Sequence, residues 1–365
     1  MIQKWAKDFG RHGSNGRLAN VSEKSFEVEV AMATIKDIAK IAGVAPSVVS
    51  RALNNKYGVK ESTRQRIIQI ARELGYYPNS AARSLVTRRS ETIGIVMADI
   101  SEPFYSQSIK GMEYVAKQTG YTLLFSNSYE NVEQGQVLHK MISGERVDGL
   151  VIVGSNIQEK SFITMLLERD IPFVLVERKF SDPRVNCIWL DNVKGGYMAT
   201  KYLIEKGHRR IGHIAGNLYF QVALDRIEGY KRALAEAGID FSQEWVAAGD
   251  FLTHGGYRAM KELLPLGCTA VFVANDAMAY GALRAISEAG LKVPDDIAIV
   301  GFDDLEFSSL TNPPLTTIRQ PRYEMGRKSL EILTSILRER RPGEEAACEG
   351  VKVCFQPELI VRQSA

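Results

Sequence analysis

Apolar positions along this chain follow two rhythms. Between Thr34 and Leu74 the period is helical: Ile35, Ile38, Ala39 and Ala42, then Val49, Ala52 and Leu53, then Ile67, Ile70, Ala71 and Leu74. Thr34 offers a capping hydroxyl with Asp37 three residues on, and Gly43 ends the first helix by permitting a left-handed turn. A second helix starts near Ala45-Pro46-Ser47, and a third runs from about Glu61 to Leu74 and closes at Gly75. From Thr92 onward the rhythm changes. Short strand-like runs (TIGIVMAD, YTLLFSNS, DGLVIVG, FVLVERK, IWLD, RIGHIAG, TAVFVAND, IAIVGFDD) alternate with amphipathic helical segments, which predicts parallel sheets built from βαβ units. The length of this region suits two doubly wound sheets with a cleft between them better than one.

Residues 1–31 show no sustained period, and Gly10, Gly13, Asn15 and Gly16 break any helix, so an extension without regular structure is expected there. Met32 directly precedes the first patterned segment, and the sequence leaves open whether Met1 or Met32 is the start of translation. Net charge sharpens the division. The whole chain carries +3, but residues 33–90 carry +8 and residues 91–365 carry −6. A compact basic module on a mildly acidic body fits the electrostatic footprint of a polyanion-binding segment, and on charge alone it fits a solvated basic face equally well. Its second helix leaves Pro46, Ser47, Ser50, Arg51 and Asn54 toward solvent, residue types able to read a DNA groove. Three short helices of this spacing form a helix-turn-helix unit, whose second helix enters the major groove.

The segment TIKDIAKIAGVAPSVVSRALNN, followed by VKESTRQRIIQIARELGYYPNSAARSLVTRRSETIGIV, resembles the N-terminal module of the LacI/GalR family of bacterial transcription regulators. The resemblance implies that Thr34 and Thr63 hold phosphates, that Ser47 and Arg51 reach base edges with Ser50 beside them, and that Asn54 lies close to the DNA backbone. Pro46 departs from the polar or aromatic residue common at its position. Residues Asn79 to Leu85 could make barely two helical turns, too few to be stable alone. In the family the matching segment folds as a hinge helix at the operator, with Leu85 as the minor-groove wedge and Arg83 at the phosphates.

The resemblance extends over the body. It implies a multidomain protein: an all-α helix-turn-helix domain at 32–78, a hinge and linker at 79–90, and an α/β periplasmic-binding-protein-like effector domain of two subdomains at 91–365. We expect the N-subdomain at 91–190 and 318–345 and the C-subdomain at 191–317 and 346–365, with crossings near Leu190, Thr317 and residues 341–350. Ligands of open α/β sheets sit beyond the carboxyl ends of the strands. By position, Phe104, Tyr105, Arg178, Arg226, Phe251, Asn275 and Asp303 match effector-contacting sites. Phe104, Tyr105 and Phe251 also read as core aromatics, and Asn275 and Asp303 as helix caps. Arg226 sits near a helix start, where its charge opposes the dipole unless an anion is near. Stretches such as GGYMATKYLIEKGHRRIG resemble purine-responsive members of the family, yet Phe220 and Val222 replace polar groups, and Arg178 replaces an aromatic. A donor-rich Arg178 favours hydroxyl or acidic groups, hence a sugar or sugar derivative.

No apolar run is long enough for a membrane span, and the N-terminus lacks the apolar core of a secretory signal, which predicts a cytoplasmic protein. Cys187, Cys268, Cys348 and Cys354 fit no metal or redox spacing, and His208 and His213 read as residues bordering a strand. No phosphate-loop, dinucleotide, nucleophile-elbow or zinc-protease motif is present, so neither an enzyme nor a cofactor is expected. The expected partners are double-stranded operator DNA, a small-molecule effector and a second copy of the chain. The competing readings are a sugar-binding protein without a DNA role, and a regulator answering to a purine or a protein.

Overall fold

The structure is a computed structural model that describes residues 33–76, 89–98, 100, 102–127, 147–154, 160–339 and 349–365. The expected extension at 1–31, the hinge residues Arg83 and Leu85, and most of the 341–350 crossing lie outside these residues. Two compact units divide at Asn79/Ser80.

The first unit holds helices α1 (Ile35–Ala42), α2 (Pro46–Leu53) and α3 (Glu61–Glu73). Thr34 caps α1 reciprocally with Asp37: the Asp37 carboxylate accepts the Thr34 amide at 2.9 Å and its hydroxyl at 2.7 Å, which holds the Asp37 pKa below its usual value. Gly43 takes φ 66°, the left-handed turn between α1 and α2. Pro46 opens α2, where a missing N–H breaks no helical bond. Ile38, Ala39, Ala42, Val49, Ala52, Ile67, Ile70 and Ala71 form the core, with Leu53 only partly covered.

The second unit contains two six-stranded sheets. In chain order its elements are β1 (Thr92–Met97), α4 (Tyr105–Thr119), β2 (Thr122–Asn127), β3 (Gly149–Val153), α5 (Lys160–Glu168), β4 (Phe173–Val176) and β5 (Asn186–Leu190). There follow α6 (Asn192–Glu205), β6 (Ile211–Ala215), α7 (Gln221–Glu236), β7 (Val246–Ala248), α8 (Thr253–Leu263), β8 (Ala270–Val273), α9 (Asp276–Glu288) and β9 (Ala298–Asp303). The last elements are β10 (Thr316–Arg319), α10 (Arg322–Glu339), β11 (Lys352–Phe355) and β12 (Glu358–Ile360). The sheet orders are β11-β5-β4-β3-β1-β2 and β12-β10-β9-β8-β6-β7, parallel throughout except for β12 against β10. Each sheet therefore repeats the same doubly wound pattern and reverses direction at its first strand.

All eight expected strands form. The four not read from the sequence (β7, β10, β11, β12) have three or four residues each, too few to show a period. The chain leaves the first sheet after Leu190, the end of β5, and the second after Arg319, the end of β10. The third crossing differs from expectation: β11 pairs with β5 in the first sheet, so the chain passes over at Gln356-Pro357, and residues 349–355 belong to the N-subdomain. The physical reason is local, because Lys352 to Phe355 alternate exposed and half-buried side chains and find their edge only in the folded sheet.

Glycine lets three helix pairs touch backbone to backbone. A Cβ at Gly229 of α7 would lie 2.1 Å from the Val193 carbonyl oxygen of α6, and one at Gly196 of α6 would lie 2.3 Å from the Arg226 carbonyl oxygen. The pairs Gly111/Gly326 in α4 and α10, and Gly256/Gly281 in α8 and α9, do the same. Because the α6/α7 contact fixes the height of Arg226, we predict that Gly229→Ala destabilises the second unit by about 1–3 kcal/mol, the usual result of overpacking. Chemical denaturation reads this directly, and an unchanged midpoint would mean that the two helices can part freely.

Candidate functional site

On the first unit, Ser47, Arg51 and Asn54 are exposed on α2, while Ser50 is half-buried and its carbonyl accepts the Asn54 side-chain amide at 2.8 Å. Thr34 is exposed at the α1 cap, and Thr63 is half-buried in the first turn of α3. Arg64, counted in the sequence only as one more basic residue, has a structural duty: its guanidinium donates to the Ala52 and Lys56 carbonyls, both at 2.9 Å. Ala52 lies in the last turn of α2 and Lys56 in the loop that follows, so α3 fixes the exit of the exposed helix.

On the second unit, the carboxyl ends of both sheets converge on one cavity of about 110 Å³. Of the residues named from the sequence, Phe104, Tyr105, Arg226, Phe251, Asn275 and Asp303 line it. Arg226 is buried at its centre. Its Nε donates to Asn192 at 2.9 Å, its Nη1 donates to the Ala274 carbonyl, and Asp303 lies at 3.9 Å. The guanidinium stacks 3.8 Å from the Phe302 ring centroid. Burial works against the Arg226 charge, while Asp303 and Glu177 oppose that effect, so the anion its position demanded is present. Asn275 does cap α9, accepting the Met278 amide at 3.0 Å, and its own amide holds the Phe251 carbonyl at 2.9 Å. Asp303 caps nothing; it accepts the Gln320 amide at 2.6 Å. The aromatics serve both readings, with Phe104 against Tyr105 and Phe220 against Phe251 edge to face.

Arg178 does not reach the cavity. It is buried with its guanidinium 5.5 Å from the Phe180 ring centroid, and Glu177 lines the cavity instead. The backbone leaves regular strand geometry between the two: β4 ends at Val176, and Glu177 takes φ 67°. Phe251 (φ 70°), Asp303 (φ 113°) and Asp304 (φ 54°) share that left-handed region. Non-glycine residues there carry strain, and three of these four line the cavity. Asn192 and Gln320 were missed because each follows a strand end that the sequence showed poorly or not at all.

Behind the cavity the buried carboxylates are crowded. Burial raises Asp303 to about 6, against the pull of Arg226 and Arg322. Burial raises Asp276 to about 7, aided by the Asp303 charge, although Thr317 and Ser308 donate to it at 2.6 Å. Asp304 is held low by hydrogen bonds from Arg362 at 2.6 Å and Arg319 at 2.7 Å, against the effect of its burial. Its carbonyl and that of Phe104 both accept from Arg322, which links the N- and C-subdomains beside the second crossing. His213 lies inside β6 rather than at its border, stacked between Phe272 and Tyr230, with burial lowering its pKa to about 4.

Glu177 gives this electrostatics a sign. Burial lifts its pKa from 4.5 to about 8, so the folded protein binds that proton more tightly than the unfolded chain. The resulting stability is fully present below pH 4.5 and is lost as pH rises through about 8. We predict that Glu177→Gln leaves thermal stability little changed at low pH and raises it relative to the parent as pH passes through this window. Parallel melting-temperature profiles of the two proteins would contradict the assignment.

With this geometry in hand, comparisons place the chain. Residues 34–79 match the model of bacterial regulatory proteins of the lacI family, and residues 90–353 match that of periplasmic binding proteins and the sugar binding domain of the LacI family. The HTH-type transcriptional repressor PurR of Aliivibrio fischeri (strain MJ11) is 35% identical, covering 91% of this chain and 98% of that protein. The lac repressor dimer bound to operator and the anti-inducer ONPF superposes with a TM-score of 0.81 at 29% identity, over 91% of this chain and 98% of that one. The transcriptional regulator CelR in complex with cellobiose gives 0.69 at 31% identity, over 91% and 100%. The chain belongs to the LacI family of bacterial transcription regulators, a helix-turn-helix DNA-binding domain joined to a periplasmic-binding-protein-like effector domain.

Proposed function

We propose that this regulator is a cytoplasmic repressor, not an enzyme, which binds a near-palindromic operator as a homodimer and answers to a sugar or sugar derivative in the cleft. The observation that carries the effector reading is the convergence of Arg226, Asp303, Asn275 and Phe251 on one cavity at the strand ends. Carboxylate, amide and guanidinium groups beside aromatic rings suit a hydroxyl-bearing ring. The cellobiose complex of a structural relative supports a sugar. Arg178 adds nothing to this reading, since Glu177 and not Arg178 is among the residues lining the cavity.

On the DNA side, Ser47 and Arg51 read base edges with Ser50 beside them, and Thr34, Asn54 and Thr63 position the unit on the backbone. Arg83 and Leu85 act at the hinge, at phosphates and as the minor-groove wedge respectively. The effector acts through its different affinity for two arrangements of the subdomains.

Two substitutions test this reading. Arg51→Ala is expected to weaken binding to a selected operator by one to three kcal/mol, roughly the value of a good base contact, and to affect random DNA far less. Equal loss on both would sink the assignment of α2 as the reading helix. Asp303→Ala is expected to abolish the effector response while leaving operator affinity within about twofold; a fully responsive variant would place the effector elsewhere.

A further inference from the structure

The cavity lining is unbalanced in charge. Its side chains include the carboxylates of Glu102, Glu177, Asp250 and Asp303 but only one guanidinium, that of Arg226. Asp250 already has partners at the rim, with His254 at 2.9 Å and Arg258 at 3.3 Å. Asp303 has Gln320 and Arg226. Glu177 differs. Among the described residues its carboxylate accepts no hydrogen bond and makes no ion pair, although its backbone is held at φ 67° with the side chain in the cavity lining.

The cations nearest to it are committed elsewhere. Arg226 donates to Asn192 and to the Ala274 carbonyl and faces Asp303. Arg322 donates to the carbonyls of Phe104 and Asp304. Asp303 and Glu102 add like charge. Burial favours the protonated form of this carboxyl, and a donor that also brings positive charge is what lets it ionise in these surroundings. A ligand hydroxyl would leave it neutral, and a phosphate or carboxylate would add like charge beside Asp303 and Glu102. An ammonium has three donors and neutralises the site, and the aromatic rings around the cavity favour a cation as well.

We propose that the ligand of this cleft is an amino sugar, whose protonated amino group is received by the Glu177 carboxylate. The proposal rests on the cleft being the effector site and narrows the sugar class named above. It assigns to Glu177 the choice between aminated and neutral sugars, with Arg226 and Asp303 left to hold the ring hydroxyls.

Calorimetric titration of the full-length protein with matched pairs tests it: glucosamine against glucose, galactosamine against galactose, with N-acetylglucosamine as the form whose nitrogen carries no charge. At least one aminated sugar is expected to bind about tenfold or more tightly than its hydroxyl counterpart, and N-acetylation is expected to remove the gain. In Glu177→Gln the preference disappears while cooperative unfolding is retained. If that variant does not fold, the N-acetyl comparison on the parent protein decides alone. Equal or tighter binding of the neutral sugars, a preference that survives in a folded Glu177→Gln, or no binding by either aminated sugar overturns the proposal. A neutral sugar that binds at least as tightly as its aminated counterpart and changes operator affinity removes the amino group and keeps the cleft as the effector site. A ligand that binds the cleft without moving operator affinity removes the regulatory reading instead.

Discussion

A guanidinium sealed from water must be held by fixed acceptors, and Arg226 is the point on which the cleft depends. Its partners come from three separate pieces of the C-subdomain: hydrogen bonds to Asn192 at the start of α6 and to the Ala274 carbonyl after β8, and an ion pair with Asp303 at the end of β9. Each sits where a strand gives way to the next element, so the arginine registers the ends of several strands against one another. The glycine contact between α6 and α7 sets its height, and the Phe302 ring supports its face. Truncating such a residue would strand Asp303 and Asn192 without their partner, which is why it cannot be treated as a ligand contact alone.

The surrounding strain and charge have the same origin. Glu177, Phe251 and Asp303, three residues that line the cavity, are held at positive φ. Burial raises the pKa of the carboxylates behind it, with the Asp303 charge adding to the rise at Asp276, and they are tolerated because hydroxyl and amide donors, Arg226 and Arg322 surround them. Arg322 and the Asp304 cluster stand at the second crossing, where any rotation of one subdomain against the other must be accommodated. A cleft held by few, strained and highly charged contacts is suited to two arrangements separated by a modest free energy.

Much of this was legible in the sequence. Helical spacing gave the three short helices and their core, since each buried stripe is long enough to show its period, and local basicity marked the DNA-binding unit. Of the seven residues that the resemblance matched to effector contacts, six line the cavity. The sequence reading offered Arg178 as the seventh, where its neighbour Glu177 stands with φ 67°. It misplaced the third crossing because β11 is short, half-exposed and defined only by its partner β5. Arg64 escaped notice for another reason: a buried fork onto two carbonyls and a phosphate-binding arginine look the same in a list of charges.

The central claim is that occupancy of the cleft and occupancy of the operator are thermodynamically linked. Once a ligand is identified, its affinity for the protein should be measured with and without saturating operator DNA, beside the affinity for operator with and without saturating ligand. Linkage requires that the two ratios be the same factor. A shared factor well away from one is the predicted result. A ligand whose affinity is indifferent to operator would contradict the account, however tightly it binds.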